Sequence, residues 1–222
     1  MAYKIGVISQ KGGVGKSTIS RLIATQFAGF DGGTWSVKIA DTDVSQGTSF
    51  HWMQRRVQAG VEPAIRVESY PRVTQAIKDA DQFDVMVLDG APHSTADTLK
   101  IALASDVVII PTGTALDDLE PSVRLAHELK GQGVVAGHIV FGLTRTGDSE
   151  AENQEAREYI KASGYRVAEG SLPERTGYRR ASDTGLSVSE TPYTSLNDRA
   201  GAFFQSLMAE LYKQQETEEG VA

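Results

Sequence analysis

The stretch SQKGGVGKST, residues 9–18, decides the fold, because it places glycines between two lysines directly after an apolar run. The run before it is typical of a buried strand and the segment after it of a helix, which is the context of a phosphate-binding loop. Glycines let the backbone curl so that successive N–H groups face one anion, and a helix N-terminus adds its positive dipole end. We therefore predict a nucleotide phosphate site here, the alternative being a glycine-rich turn without a ligand.

Three side chains of this loop have separate predicted tasks. Lys16 would reach the β- and γ-phosphates, and the Ser17 hydroxyl would ligate magnesium. The Thr18 hydroxyl could donate a hydrogen bond to the α-phosphate. These tasks imply ATP and Mg²⁺ as cofactors. The backbone of Gly12, Gly13, Val14 and Gly15 completes the predicted phosphate cradle.

The composition excludes several classes of protein. The chain has 222 residues, 40% of them apolar, which fits one soluble domain. It has no cysteine, so disulfides, thiolate zinc sites, cysteine-held iron–sulfur clusters and cysteine nucleophiles are excluded. The N-terminal strand leaves no room for a signal peptide, and no apolar run approaches the ~20 residues of a membrane span. We expect a cytoplasmic protein that does not bind membranes.

The net charge of −7 argues against a basic field over the whole molecule. Any binding to nucleic acid must therefore use a local patch of positive charge.

Apolar runs of strand length alternate with amphipathic segments along the chain, which predicts an α/β fold. The central sheet should be mostly parallel, with helices on both faces, because several runs are apolar throughout. We expect one domain over residues 1–213 and an acidic, disordered tail over 214–222. The predicted strands span 3–9, 35–41, 64–69, 84–89, 106–111 and 138–144, and the helices span 17–28, 71–80, 118–129, 149–163, 176–184 and 195–213.

Three aspartates lie where predicted strands end. Asp41 and Asp43 belong to IADTD, and Asp89 ends VMVLD. In an open parallel sheet the ligand crevice lies at the carboxyl ends of the strands, so these acids should face the phosphate loop. We assign Asp41 and Asp89 to the magnesium shell and Asp43 to positioning the attacking water. Each aspartate alone would mean little, because aspartate is common where strands stop.

The motif KGGVGKST resembles the deviant Walker A box of the ParA/MinD family of ATPases, in which a lysine precedes the glycines. IADTD resembles the second box of that family, and VMVLDGAP its Walker B and switch segment. The stretch 172–190, with spaced arginines and a closing GLSVSE, is similar to a further family segment. The resemblance implies a P-loop ATPase fold, and the short partition-type ParA branch fits best.

The resemblance also implies a role for Lys11, the lysine before the glycines. In this family it crosses a nucleotide-sandwich dimer to the phosphates of the partner subunit. The alternative is a loop lysine paired with a surface carboxylate of its own chain. One departure concerns Asp43, because the family motif continues with proline and glutamine, whereas this chain continues with VSQG. The switch geometry near Asp43 is therefore less well defined.

The function implied by the resemblance is plasmid or chromosome partition. An ATP-dependent homodimer would bind nonspecific DNA of the nucleoid, and a centromere-binding, ParB-like adaptor protein would stimulate hydrolysis. Alternatives are the positioning of a protein cargo, a metabolic ATP-dependent enzyme and a nucleotide-binding scaffold that does not hydrolyse ATP. A membrane-binding MinD-type role is disfavoured because the C-terminal tail is acidic.

Contacts to DNA and to the base are also assigned. Arg175, Arg179 and Arg180 could neutralise DNA phosphates, or could form a solvated, salt-bridged face with Glu174 and Asp183. The adenine contacts predicted from strand ends are Thr144, Arg145 and Pro173.

Overall fold

The strands of the described residues, 2–92 and 95–219 of a computed structural model, form one seven-stranded sheet in the order β3-β2-β4-β1-β5-β6-β7. All neighbouring strands run parallel. The predicted α/β fold with a mostly parallel sheet is confirmed. The strands are β1 (Tyr3–Val7), β2 (Val37–Asp41), β3 (Arg66–Ser69), β4 (Val85–Asp89), β5 (Val107–Thr112), β6 (Ile139–Thr146) and β7 (Arg166–Pro173).

Helices cover both faces of this sheet. As a result, every residue of β2, β4 and β5 is buried, as expected for apolar strands packed on two sides. No helix of the described residues combines the length and the apolar character needed to cross a membrane. The helices are α1 (Lys16–Ala28), α2 (Thr48–Gln58), α3 (Val73–Asp79), α4 (Thr95–Ala104), α5 (Leu116–Gly131), α6 (Glu150–Ala162), α7 (Thr176–Asp183) and α8 (Thr194–Glu219).

Two apolar layers hold the helices against the sheet. One layer joins the sheet to α1, α2, α7 and α8, and it includes Leu22, Trp52 and Phe203. The other joins it to α3, α4, α5 and α6, and it includes Ile101 and Ile160. Each of these large side chains contributes about 1.5–3 kcal/mol by leaving water.

The strand β7 is absent from the predicted elements. Its sequence, RVAEGSLP, interrupts the apolar pattern at Glu169, Gly170 and Ser171, and only half of its residues are buried, as expected at a sheet edge. Helix α8 continues past residue 213, the predicted end of the domain. The domain boundary and the disorder of 214–222 stay predictions, and residues 220–222 lie outside the described residues.

The segment GLSVSE, residues 185–190, is joined to α2 by an ion pair between a buried arginine and a partly buried glutamate. The Arg56 guanidinium is 1% exposed and donates two hydrogen bonds to the Glu190 carboxylate, at 2.7 and 2.8 Å. It donates a third to the Gly185 carbonyl, at 3.1 Å. Gly185 has φ +80°, and a Cβ built there would lie 2.3 Å from the Arg56 backbone nitrogen. The motif therefore requires glycine because the α2 backbone passes at that point.

Replacement of this glycine tests the packing argument. We expect Gly185→Ala to lower the free energy of unfolding by about 3–4 kcal/mol, since it adds a backbone clash to the left-handed strain. Gly164→Ala is the matched control, because Gly164 has φ +85° with open space at its Cβ position. It should cost only about 1–2 kcal/mol. Urea unfolding of both variants measures the difference, and equal losses would contradict the close approach of α2.

Candidate functional site

The predicted phosphate loop connects β1 to α1 and lines a cavity. Gly13 and Gly15 have φ values of +76° and +91°, which side-chain-bearing residues rarely adopt, and Lys16 begins α1 directly after them. The cavity has a volume of about 200 Å³. It lies at the N-terminus of α1, where the helix dipole and unpaired N–H groups favour an anion. Its lining includes Gly12, Gly13, Gly15, Lys16, Ser17, Thr18, Asp43 and Gln46.

A buried threonine on a neighbouring strand binds the backbone of the phosphate loop. Thr144 on β6 is 3% exposed, and its hydroxyl donates a 2.7 Å hydrogen bond to the Val14 carbonyl. Val14 itself is buried and lines neither neighbouring cavity. The Thr144 side chain also packs against Gly15, at 3.4 Å from the position of a built Cβ. Its hydroxyl thus supports the loop backbone, and because Thr144 also lines the larger neighbouring cavity, its contact to the base stays a prediction.

The two loop lysines have different surroundings. Lys16 is buried, and its ammonium donates a 3.1 Å hydrogen bond to the Lys11 carbonyl across the loop. Burial lowers the pKa of Lys16, and the nearby carboxylates of Asp89 and Asp43 oppose that shift. The ammonium is therefore held over the loop, where a phosphate would be neutralised.

Lys11 lies at the rim of the loop and contacts the start of α5. Its ammonium is 2.5 Å from Asp118 Oδ1 and donates a 2.8 Å hydrogen bond to the Asp117 carbonyl. This is the own-chain pairing considered as the alternative in the sequence analysis. The Lys11 side chain is 43% exposed, and exposed ion pairs contribute only about 0–1 kcal/mol. Lys11 can therefore exchange Asp118 for another anion at a small cost in free energy.

Asp41 and Asp89 lie side by side at the ends of β2 and β4. Asp41 Oδ2 accepts hydrogen bonds from the backbone N–H groups of Ser49 and Phe50, at 3.0 and 3.2 Å. Its Oδ1 accepts one from Asp43 N, at 3.1 Å. Burial, together with the charge of Asp89, raises the pKa of Asp41 to about 6. Asp41 therefore caps the start of α2, and its predicted part in the magnesium shell competes with these bonds.

Asp89 keeps one carboxylate oxygen free. Its Oδ2 accepts a 2.7 Å hydrogen bond from the Ser49 hydroxyl, whereas the buried Oδ1 has no hydrogen-bond partner among the described residues. Burial raises the pKa of Asp89, and the Ser49 hydrogen bond, the nearby cations Arg21 and Lys16 and the neighbouring Ser17 hydroxyl oppose the rise. An orphaned buried carboxylate oxygen fits a hydrated magnesium ion, which prefers oxygen ligands and keeps several waters. The Ser17 hydroxyl on the cavity wall fits the same ion.

Asp43 organises the loop that leads into α2. Its Oδ1 accepts hydrogen bonds from the Ser45 hydroxyl at 2.7 Å and from Gln46 N at 3.2 Å, and its carbonyl accepts one from Gly47 N at 2.7 Å. These bonds close a turn without the proline of the family motif. Asp43 and Gln46 both line the phosphate cavity.

A second, larger cavity of about 430 Å³ adjoins the loop. The three predicted base contacts, Thr144, Arg145 and Pro173, all lie on its wall, and so does Tyr178 of α7. Arg145 has φ +53°, and its guanidinium donates 3.0 Å hydrogen bonds to the Gly13 carbonyl and to Glu174. The cavity has the size of a site for a nucleotide base and sugar.

The predicted DNA-contacting arginines divide into two groups. Arg175 pairs with Asp148, and Arg179 pairs with Glu174. A salt-bridged face is the alternative prediction, but of its two acids only Glu174 pairs with one of these arginines, and Arg175 pairs with Asp148 instead. Arg180 is exposed and forms no ion pair within 2–92 and 95–219.

Two site residues were missed by sequence reasoning. Ser49 joins Asp41 to Asp89, and Arg21 of α1 lines both cavities while only 5% exposed. An arginine within the apolar helix STISRLIATQFA is a signal that could have identified Arg21. Ser49 has no comparable signal, because a serine at a helix start is ordinary.

Residues 5–188 match the model of the CobQ/CobB/MinD/ParA nucleotide-binding domain. The match spans most of the chain, so the protein belongs to this family of nucleotide-binding, ATPase-type proteins. A search of curated protein sequences finds no match.

Solved structures share the fold at low sequence identity. Apo McdA of Cyanothece is 18% identical, with a TM-score of 0.71 over 93% of this chain and 100% of that chain. MinD of Pyrococcus horikoshii with Mg-ADP is 18% identical, with a TM-score of 0.71 over 100% and 98%. A plasmid partition protein of Borrelia burgdorferi bound to AMPPNP is 20% identical, with a TM-score of 0.69 over 92% and 99%. ATP-type nucleotides and Mg²⁺ are ligands of this family.

The support of the loop by Thr144 is testable. We expect Thr144→Val to weaken nucleotide binding about tenfold, because it removes the hydrogen bond and leaves the Val14 carbonyl unpaired, a loss of about 1.4 kcal/mol. Thr146→Val on the same strand is the control, since the buried Thr146 hydroxyl has no partner among the described residues. Titration with a fluorescent ATP analogue measures both affinities. Equal weakening by the two variants would contradict a specific role for Thr144.

Proposed function

We propose that the protein is a partition-type, ParA-like ATPase that forms an ATP-dependent sandwich dimer. The observation that carries this proposal is the pair of loop lysines. Lys16 is buried and lines the phosphate cavity, whereas Lys11 lies at the start of the loop with a half-exposed side chain, paired with Asp118 of its own chain. A loop that binds nucleotide within one chain needs only Lys16. Lys11 is therefore available to a partner subunit.

The roles proposed for the other site residues follow from their positions. Lys16 neutralises the β- and γ-phosphates, and Ser17 binds the magnesium ion. Asp89 would supply a carboxylate to the surroundings of that ion, and the Ser49 hydroxyl holds this carboxylate in place at the end of β4. Asp43, on the cavity wall, positions the attacking water. Asp41 supports this arrangement by holding the start of α2.

Lys11 makes the dimer dependent on triphosphate. In the single chain Lys11 pairs with Asp118. Breaking this ion pair costs no more than about 1 kcal/mol. In the dimer it would cross to the phosphates of the partner subunit, where a multiply charged anion binds it more strongly. Hydrolysis and loss of the γ-phosphate remove that charge, so Lys11 returns to Asp118 and the dimer separates.

The role of Lys11 is tested by sedimentation with ATP and magnesium. Lys11→Ala should abolish ATP-dependent dimerisation while retaining nucleotide binding. Asp118→Asn should dimerise at least as well as wild type, because it frees Lys11. Lys4→Ala is the charge-matched control, since Lys4 lies at the start of β1 beside Asp106. A wild-type protein that stays monomeric with ATP, or a Lys11→Ala protein that dimerises, would refute the proposal.

DNA is the proposed binding partner of the dimer. The net charge of −7 restricts binding to a local patch, and dimerisation doubles a patch that is too weak in the monomer. Arg180 on α7 supports this best, because it is exposed and unpaired within the described part of the chain. Arg175 and Arg179 would have to leave their own carboxylates to reach phosphates.

The DNA contacts are distinguished by salt dependence. We expect Arg180→Ala to weaken binding of the ATP-bound protein to random duplex DNA, and to reduce the slope of log affinity against log salt by about 2, one arginine per subunit. Arg175→Ala, which removes an arginine already paired, should change the slope less. Fluorescence anisotropy over a range of salt concentrations makes the measurement. A larger effect of Arg175→Ala would reverse the assignment.

The proposed biological role is the partition of plasmid or chromosome DNA on the nucleoid. A centromere-binding, ParB-like adaptor would stimulate hydrolysis at the edge of the dimer and so release it from DNA. Repeated release and rebinding would move the cargo.

A further inference from the structure

Arg21 is a buried cation that the proposed ATPase mechanism does not use. It lies on α1, one turn after the phosphate loop, and is 5% exposed. It forms no ion pair with a carboxylate in the part of the chain that the structure describes. Burial lowers its pKa to about 10 against the opposing charges of Asp89 and Asp41, neither of which it contacts, and the guanidinium stays charged at neutral pH. A buried charge without a paired anion is costly, so the contacts that hold it are informative.

Those contacts join three helices. One terminal nitrogen of Arg21 donates a 2.8 Å hydrogen bond to the Ser182 hydroxyl of α7, and the other donates a 2.6 Å bond to the Thr48 carbonyl at the start of α2. The guanidinium carbon lies 5.5 Å from the centre of the Trp52 ring. The planar fork fixes the two bonds relative to each other, which a lysine could not do.

The junction lies between the two cavities. Arg21 lines both the phosphate cavity and the larger cavity. Thr48 follows the Asp43 turn directly, so its carbonyl moves if that turn rearranges around a γ-phosphate and magnesium. Ser182 lies on α7, the helix that carries Arg179 and Arg180. The Arg21 fork thus connects the end of the turn that lines the phosphate cavity to the helix of the predicted DNA patch.

We propose that Arg21 is a positioning residue that couples the nucleotide in the phosphate cavity to the placement of α7. The inference rests on the proposed ATP-dependent switch and names the residue through which it reaches the DNA-binding helix. With triphosphate bound, the turn ending at Thr48 is fixed, and Arg21 holds Ser182 and α7 in one position. With diphosphate, the turn is released and α7 is held less firmly.

A neighbouring arginine provides a matched control. Arg55 of α2 also binds α7, since its Nε donates a 3.3 Å hydrogen bond to the Ser182 carbonyl. Arg55 lines neither of the two cavities. Its removal therefore weakens the packing of α2 on α7 without removing a contact to the nucleotide site.

The test is hydrogen exchange of the α7 amides, residues 176–183, read by mass spectrometry with saturating AMPPNP and magnesium or with ADP. Saturation is established separately for each variant. We expect wild type to exchange at least about fivefold more slowly with AMPPNP, the lower end of typical coupling between sites. Arg21→Met should lose this difference, Arg21→Lys should not restore it, and Arg55→Met should keep it. Ser182→Ala should lose it as well, because it removes the Arg21 contact to α7 and leaves the Arg55 bond to the Ser182 carbonyl.

The outcomes separate this inference from the proposed function. Equal α7 exchange in wild type with the two nucleotides would overturn the coupling, as would a preserved difference in Ser182→Ala. Loss of the difference in Arg55→Met would also overturn it, because general helix packing would then explain the effect. If Arg21→Met does not fold, Ser182→Ala decides alone. ATP-dependent DNA binding of the wild type is measured alongside, and its absence would refute the switch whatever α7 does.

Discussion

Two buried carboxylates at neighbouring strand ends impose the strongest constraint on this structure. The parallel register brings Asp41 and Asp89 together where water is excluded, and both burial and mutual repulsion oppose their charges. The surroundings meet this cost with backbone N–H groups from the start of α2, the Ser49 hydroxyl, and the buried cations Lys16 and Arg21. Asp41 thus fixes the start of α2, and the two carboxylates account for the buried cations Lys16 and Arg21 on α1.

The same arrangement makes the site responsive to a ligand. In the proposed function, a polyanion with magnesium would bring positive charge to Asp89 and negative charge to Lys16, and would so replace contacts that the protein otherwise makes within itself. Lys11 is held by one partly buried carboxylate and a carbonyl at the surface. A site whose charges are balanced by exchangeable partners can change its contacts at small free-energy cost, which a nucleotide-dependent switch requires.

The sequence was most informative where backbone chemistry is specific. The glycines and lysines of SQKGGVGKST predict the loop, its strand and its helix, because few other structures require positive φ next to a helix start. The closing GLSVSE was recognised as a pattern, but its reason appears only in the fold. Gly185 gives room to α2, and Glu190 pairs with Arg56, a residue far away in the sequence. Strand β7 was missed because an edge strand needs little apolar periodicity.

The sequence by itself determined the fold class, the phosphate loop and the placement of acids at strand ends, since these depend on local backbone preference and on periodicity. The tertiary structure alone decided the partners of the charged groups. It directed the Thr144 hydroxyl to the loop, paired Lys11 with Asp118, and buried Arg21 between three helices. Such partners are brought together from distant parts of the chain by the packing of α1, α2, α5 and α7 on the sheet. A linear pattern carries no record of which side chains then meet.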